Sequence, residues 1–361
     1  MTRIPFSPDE MEVVGVHIST TERFGPLPQM IRTPITPKEN FKNALKRDGS
    51  ALWFPTMSDV LTVESRTNID HIARAEIRDL GPVQPLEEKG GPDLFGVKWV
   101  FIPTVGGSMV QPGTPILEDV NDWKSVIRFP DVDALDWEGC KINAPLNETT
   151  RVLGVTFQNG FFERLISFMD FENAAMALVD EDQKDAVHEL LDKLADMYIA
   201  MIDHYREILQ IDSVTMHDDW GAQFAPFFSL NVCMEMLVPH IKKVSDHCHT
   251  NGIMFDHHSC GKNEKLVEAM IAAGDDIWMA QNINDVDSLR QKYGSQIMFG
   301  VMPPEHEPDA TDEEIEELAR DFVAKYAADF DEKPVVLMTF MASERMVTAL
   351  YRQSRIALCG A

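Results

Sequence analysis

Short apolar runs recur along the chain near 152–157, 213–216, 253–257, 276–280, 297–301 and 335–338, and each is followed by a segment with helical spacing of its apolar residues. Such alternation predicts repeated βα units built on a parallel sheet. The longest helical pattern spans 181–209, and a second runs from Ser229 to Asn251, where Gly252 marks its end. A third spans 311–328 and opens with Thr311 and Glu314 in capping-box spacing. Earlier in the chain, Ala51-Leu52-Trp53-Phe54-Pro55 predicts a first buried strand. The alternating stretch from Asp93 to Ile102, followed by Gly106-Gly107-Ser108, predicts an inserted β-hairpin. Residues 1–45 mix Pro, Thr and short apolar runs and are expected to form an N-terminal arm, leaving 46–361 as one large domain. No G-x-G-x-x-G follows a strand, which argues against a dinucleotide-binding sheet. The fold class expected is α/β, a (β/α)8 TIM barrel with an N-terminal arm and an inserted β-hairpin.

Composition narrows the function classes. A chain of 361 residues with 44% hydrophobic content can bury a full core. With 32 basic against 59 acidic residues, its formal charge of -27 repels nucleic acid and anionic lipid. No apolar run reaches the roughly 18 residues that a membrane helix needs, and Met1 to Asp9 lacks the pattern of a signal peptide, so a cytoplasmic protein is expected. Five scattered cysteines without C-x-x-C spacing do not suggest a disulfide framework. The twenty methionines suit an irregular apolar interior, more often as filler than as a ligand surface.

The candidate chemistry sits at two strand ends. Asp256-His257-His258-Ser259-Cys260-Gly261 follows the apolar run Ile253-Met254-Phe255, and His217-Asp218-Asp219-Trp220 follows Val214-Thr215-Met216. Groups of this kind are costly to bury unless they are paired, ligated or working. In a barrel both clusters would lie at the carboxyl ends of strands, where such folds place active sites. His258 and Cys260 are two apart and would point to the same side, so they could share a metal ion, zinc being suited to His nitrogen with thiolate. The bland alternative is a His and a Cys satisfied by neighbours in a packed loop. His217, Asp218 and Asp219 can exchange protons, while Trp220 could wall an aromatic ligand, although Asp after a strand often only caps the next helix. Gln281 and Asn282, after Ile277-Trp278-Met279-Ala280, would add hydrogen-bonding groups at the same rim. Asp256, His258 and Gly261 also fit D-x-H-x-x-G, a pattern used for cobalt ligation, but the S-x-L and Gly-Gly elements that accompany it do not follow.

At these residues the chain resembles the uroporphyrinogen decarboxylase superfamily, and within it the branch of corrinoid-dependent methyltransferases. The segments carrying the resemblance are Asp93 to Trp99 with Gly106-Gly107-Ser108, Gly160-Phe161-Phe162-Glu163-Arg164, His217 to Gly221 and His258 to Gly261. The decarboxylase proper carries an arginine-rich segment after its first strand, where this chain reads Trp53-Phe54-Pro55-Thr56-Met57-Ser58-Asp59. Thiol-directed methyltransferases of the family add a further Cys near the last strand, which here reads Val335 to Phe340 without one. The resemblance therefore points to the aryl methyl ether (veratrol-type) O-demethylase methyltransferases, which move a methyl group from a methoxylated aromatic to the Co(I) corrinoid (cobalamin) of a separate carrier protein.

That resemblance implies His258 and Asp219 as groups activating the ether oxygen, with His217 and Asp218 orienting them. It further implies His258 and Cys260 as zinc ligands with a third still to be found, and Trp53, Phe54 and Trp220 as apolar walls beside Gln281 and Asn282. The partners implied are the corrinoid carrier protein and a small methoxylated aromatic, with no nucleic acid and no membrane; a homo-oligomer is left open. Two other enzyme readings stand beside it. One is a zinc-dependent methylcorrinoid:thiol methyltransferase, and the other is a decarboxylase whose substrate carboxylate would be clamped by Arg164 or Arg345.

Overall fold

The structure, a computed structural model, describes residues 3–20, 29–104 and 106–360. Part of the expected N-terminal arm, residues 1, 2 and 21–28, lies outside the described residues. The fold is α/β, and its main sheet has seven strands among the described residues. The chain divides into two compact units, one of residues 62–147 and 153–275, the other of 1–61, 148–152 and 276–361.

In the larger unit, Val152–Phe157, Ser213–His217 and Met254–His258 pair in parallel. Val152–Phe157 is buried at every position, as a strand covered on both faces must be. Helices Phe161–Ala177 and Lys184–Ile208 connect the first strand to the second, and Leu230–Met236 with Val238–Thr250 connect the second to the third. The helical pattern expected over 229–251 is thus two helices, with Pro239 opening the second because Pro fits a helix start. Helix Phe161–Ala177 is interrupted at Asp170, where φ is 62°.

The same unit carries the expected insertion as a three-stranded antiparallel sheet of Gly90–Pro92, Lys98–Ile102 and Gly107–Val110. The first half of the stretch 93–102 is a turn rather than the start of a strand. The Asp93 carboxylate accepts the amide N–H groups of Phe95 and Val97, each at 2.9 Å, and Gly96 takes φ +81°.

In the smaller unit, Ile277–Trp278, Met298–Val301 and Val335–Leu337 pair in parallel. Ala51 to Pro55 does not form a regular strand. A parallel bridge joins Thr56 to Leu337, with Leu337 N–H donating to Pro55 O at 2.8 Å. Pro55 has no N–H to extend the ladder. Helix Asp312–Ala327 has the expected capping box, with Glu314 N–H on Thr311 Oγ1 at 3.2 Å and Thr311 N–H on Glu314 Oε2 at 2.8 Å. The start of the chain is tied down by Glu10, whose buried carboxylate receives Arg355 Nη2 at 2.7 Å, Arg355 Nε at 2.8 Å and the Tyr351 hydroxyl at 2.6 Å. Among the described residues, no helix is long and apolar enough to cross a membrane, and no disulfide joins any of the five cysteines.

Candidate functional site

His217 and His258 end neighbouring parallel strands in register with each other, so both imidazoles emerge side by side. Their ring centroids are 4.8 Å apart with planes 26° from parallel. The chain leaving each strand is locked to its neighbour. Gly160 N–H donates to His217 O at 2.7 Å, and Asp218 N–H donates to His258 O at 2.9 Å. Past the second strand, Gly261 takes φ +95° and passes so close to Gly221 that a Cβ would lie 2.3 Å from its carbonyl. Only glycine satisfies both the conformation and the close approach. Gly221 itself faces Asn263, whose Nδ2 donates to Ser259 Oγ at 2.9 Å and to Cys260 O at 2.7 Å. The two loops bearing the polar clusters are therefore one packed body.

Donor atoms of His217, Asp219 and His258 all lie within 4.8 Å of one another. Asp219 Oδ1 accepts the Cys260 amide N–H at 2.6 Å, and Cys260 Sγ lies 3.4 Å from His258 Nε2. A tetrahedral zinc with ordinary Zn–N and Zn–S bonds separates a His nitrogen from a Cys sulfur by about 3.6 Å. The donor set thus fits a divalent cation, with two imidazoles and a carboxylate as its core and the thiol at one edge. The third ligand sought beside His258 and Cys260 has two candidates in His217 and Asp219.

Electrostatics separate the two histidines. Burial, together with the neighbouring His217 and His257, lowers His258 to about 3, leaving it neutral. Burial also opposes charge on His217, but Glu163 outweighs it and raises the His217 pKa. The contact is His217 Nδ1 to Glu163 Oε2 at 2.8 Å. Burial would raise Glu163, yet His217 and Arg74 bring it down to about 2. Cys260 is pushed up to about 12 by burial and by Asp219, so without a cation it is a thiol.

Other residues singled out by the sequence have structural partners. The Asp218 carboxylate is fully buried and accepts four N–H groups, from Phe161, Phe162, Glu163 and the Trp220 indole, at 3.1, 3.1, 2.8 and 3.0 Å. It caps helix Phe161–Ala177 across space, which is the bland role that Asp after a strand often has. Trp220 is fully buried against His257 and Phe228 and offers no exposed face to a ligand. His257 lies 3.2 Å from both Asp275 Oδ2 and the Asp218 carbonyl.

Trp53, Phe54, Gln281 and Asn282 belong to the smaller unit. Phe54 is core, stacked on Phe330 with centroids 4.4 Å apart. Trp53 packs edge-on against Tyr351 and, with His17, Asp59 and Tyr351, helps line a cavity of about 760 Å³. Gln281 and Asn282 are exposed. Arg164 is fully buried between Asp70 and Asp93, the latter at 2.8 Å, and Arg345 holds Asp312 at 2.6 Å, so both candidate carboxylate clamps are engaged by acidic side chains.

Glu163 and Arg74 received no role from the sequence. The Arg74 guanidinium lies 3.6 Å from Glu163 Oε1, donates to Asn159 Oδ1 at 3.1 Å and sits 4.8 Å from the centre of the Trp99 ring. The signal available was Glu163 as the third residue of a helix opening at Gly160, in the Gly160 to Arg164 segment that carries the resemblance.

Residues 95–337 match the family described as Uroporphyrinogen decarboxylase (URO-D). Among solved structures, the chain is similar to a methyltransferase from Methanosarcina mazei, at 15% identity and a TM-score of 0.54, covering 88% of this chain and 97% of that one. It is also similar, with a TM-score of 0.34 and 10% identity, to a GH27 β-L-arabinopyranosidase from Geobacillus stearothermophilus, covering 90% of this chain and 72% of that one. No curated protein matches the chain.

Proposed function

The chain belongs to the uroporphyrinogen decarboxylase family, and from that premise we propose that it is a methyltransferase of the corrinoid-dependent branch. The reaction proposed moves a methyl group from a methoxylated aromatic to the Co(I) corrinoid of a separate carrier protein. The observation that carries this reading is the His217, Asp219 and His258 cluster, with its donor atoms within 4.8 Å. An aryl ether is a poor methyl donor unless its oxygen is polarised as the methyl leaves. A divalent cation held by these residues would supply that polarisation as a Lewis acid. The match to a fold carried by a methyltransferase supports the same reading.

The residues around the cluster then have separate tasks. His258, kept neutral, has one ring nitrogen free of a proton to offer a cation. Asp219 contributes a carboxylate oxygen while the Cys260 amide holds the group in place. Asp218 fixes the start of the helix that bears Glu163. We read the seven strands as those of a (β/α)8 barrel, with the bridge at Thr56 as the trace of an eighth.

The engagement of Arg164 and Arg345 with acidic partners disfavours a decarboxylase that would use them as a clamp. The 3.4 Å spacing of Cys260 Sγ and His258 Nε2 favours a second reading, a zinc-dependent methyltransferase acting on thiols. The two are separated by supplying the purified protein with methoxylated aromatics and a Co(I) corrinoid, or with a methylated corrinoid and a panel of thiols. Consumption of Co(I) with release of a phenol supports the first, and demethylation of the corrinoid only when a thiol is present supports the second.

A further inference from the structure

Glu163 stands at the third position of helix Phe161–Ala177, whose first turn is fixed by the Asp218 carboxylate and by Gly160. At Gly160 a Cβ would lie 2.3 Å from the Asp218 Cβ, so the helix start and the end of strand Ser213–His217 are in direct contact. This packing delivers the Glu163 carboxylate to the back of the His217 ring. Oε2 faces Nδ1 at 2.8 Å, and a carboxylate oxygen can only accept, so Nδ1 carries the proton. The opposite nitrogen, Nε2, is then the one available to a cation or substrate.

The carboxylate is itself held from behind. Arg74, the last residue of the short helix Ile69–Arg74, directs its guanidinium to Oε1 from 3.6 Å. That guanidinium is placed by Asn159 Oδ1 at 3.1 Å and by the face of Trp99 at 4.8 Å. Trp99 is fixed in turn by its indole N–H on Asp93 Oδ2 at 3.0 Å, and Asp93 pairs with Arg164, the residue after Glu163. The inserted three-stranded sheet is thus the brace for the side chain that orients His217.

We propose that Glu163 is a positioning residue: its carboxylate, braced by Arg74 and Trp99, locks the His217 ring with Nδ1 as donor so that Nε2 completes the cation site with Asp219 and His258. The inference rests on the metal reading of that site, and groups that orient ligating histidines typically contribute about 10- to 100-fold in metal affinity. Glu163 itself touches neither cation nor substrate in this account.

The test uses the full chain and its Glu163→Ala and Glu163→Gln variants, with zinc affinity measured by chelator competition. The ring nitrogens of His217 are followed in parallel by 15N NMR, assigned by difference from His217→Gln. Zinc binding weakened about 10- to 100-fold in Glu163→Ala, with partial rescue in Glu163→Gln, whose amide oxygen still accepts from Nδ1, supports the proposal. Affinity in Glu163→Ala equal to that of the unaltered chain overturns it. If the unaltered chain binds no zinc, the metal reading fails and the NMR arm decides the positioning role. Nδ1 protonated in the unaltered chain and in Glu163→Gln, with the proton shifted towards Nε2 in Glu163→Ala, sustains the role, and identical ring signals in all three overturn it.

Discussion

His217 and His258 are register partners on adjacent parallel strands, and their rings lie 4.8 Å apart at the strand ends. A slip of one residue in that pairing would exchange the faces of the neighbouring side chains, bringing His257, now buried beside Asp275, to the face of His258. The register of two strands is therefore what assembles the site.

The first prediction concerns the cation. Zinc added to the metal-free protein should bind at one ion per chain, and Asp219→Ala or His258→Ala should abolish tight binding while leaving the thermal melting temperature nearly unchanged. Isothermal titration with parallel melts checks this. Equal zinc affinity in all three proteins would remove the cluster from consideration as a metal site.

Asp218 should behave as a structural residue. Its replacement by Ala leaves three amide N–H groups at the start of helix Phe161–Ala177 and the Trp220 indole without their acceptor. A loss on the order of 3 kcal/mol or more is expected, since buried donors stripped of a charged acceptor are costly. Urea unfolding measures it, and a change below about 1 kcal/mol would contradict the capping role.

Gly261→Ala should disturb the site without touching a polar group. The new methyl would meet the Gly221 carbonyl at 2.3 Å in a backbone held at φ +95°. Strain and displaced backbone together should lower stability by about 2 to 4 kcal/mol and loosen the Cys260 to Asp219 contact. Thermal melts together with zinc affinity check both effects.

The Glu10 and Arg355 pair gives a pH prediction. Burial favours the neutral acid, but the Arg355 and Tyr351 hydrogen bonds prevail and hold the Glu10 pKa below its ordinary 4.5. A depressed folded-state pKa means that the stabilisation is present above the unfolded value and is lost as pH falls through the folded one. Glu10→Gln should therefore cost about 3 to 5 kcal/mol at pH near 7, the range for breaking a buried pair. The gap between variant and unaltered chain should shrink as the pH is lowered through the acid range. Urea unfolding across that range checks it, and a gap that widens on acidification would reverse the sign.

Much of the frame was legible because strand ends announce themselves. His217 and His258 follow compact apolar runs, and polar groups at such places are read directly from the pattern. Glu163 was harder, because its closeness to His217 depends on the helix start seating on Asp218. Arg74 gave no signal at all, lying on a six-residue helix in a stretch without clear periodicity. Trp220 misled for the opposite reason. A large ring beside three polar residues reads as a ligand wall, whereas its indole N–H is satisfied internally by Asp218 and the ring is core. Residues 93–97 read as the start of a strand, whereas the Asp93 carboxylate takes the Phe95 and Val97 amides and closes a turn, a pairing that apolar pattern does not reveal.

The measurement that tests the central claim most directly is an anaerobic absorbance assay with a Co(I) corrinoid carrier and a panel of methoxylated aromatics, run on the unaltered chain and on His258→Ala. The account predicts loss of the Co(I) band with matching release of a phenol for at least one donor, and no such loss with His258→Ala, which should still fold. No consumption of Co(I) with any donor by the zinc-loaded protein, or full activity retained in His258→Ala, would contradict it.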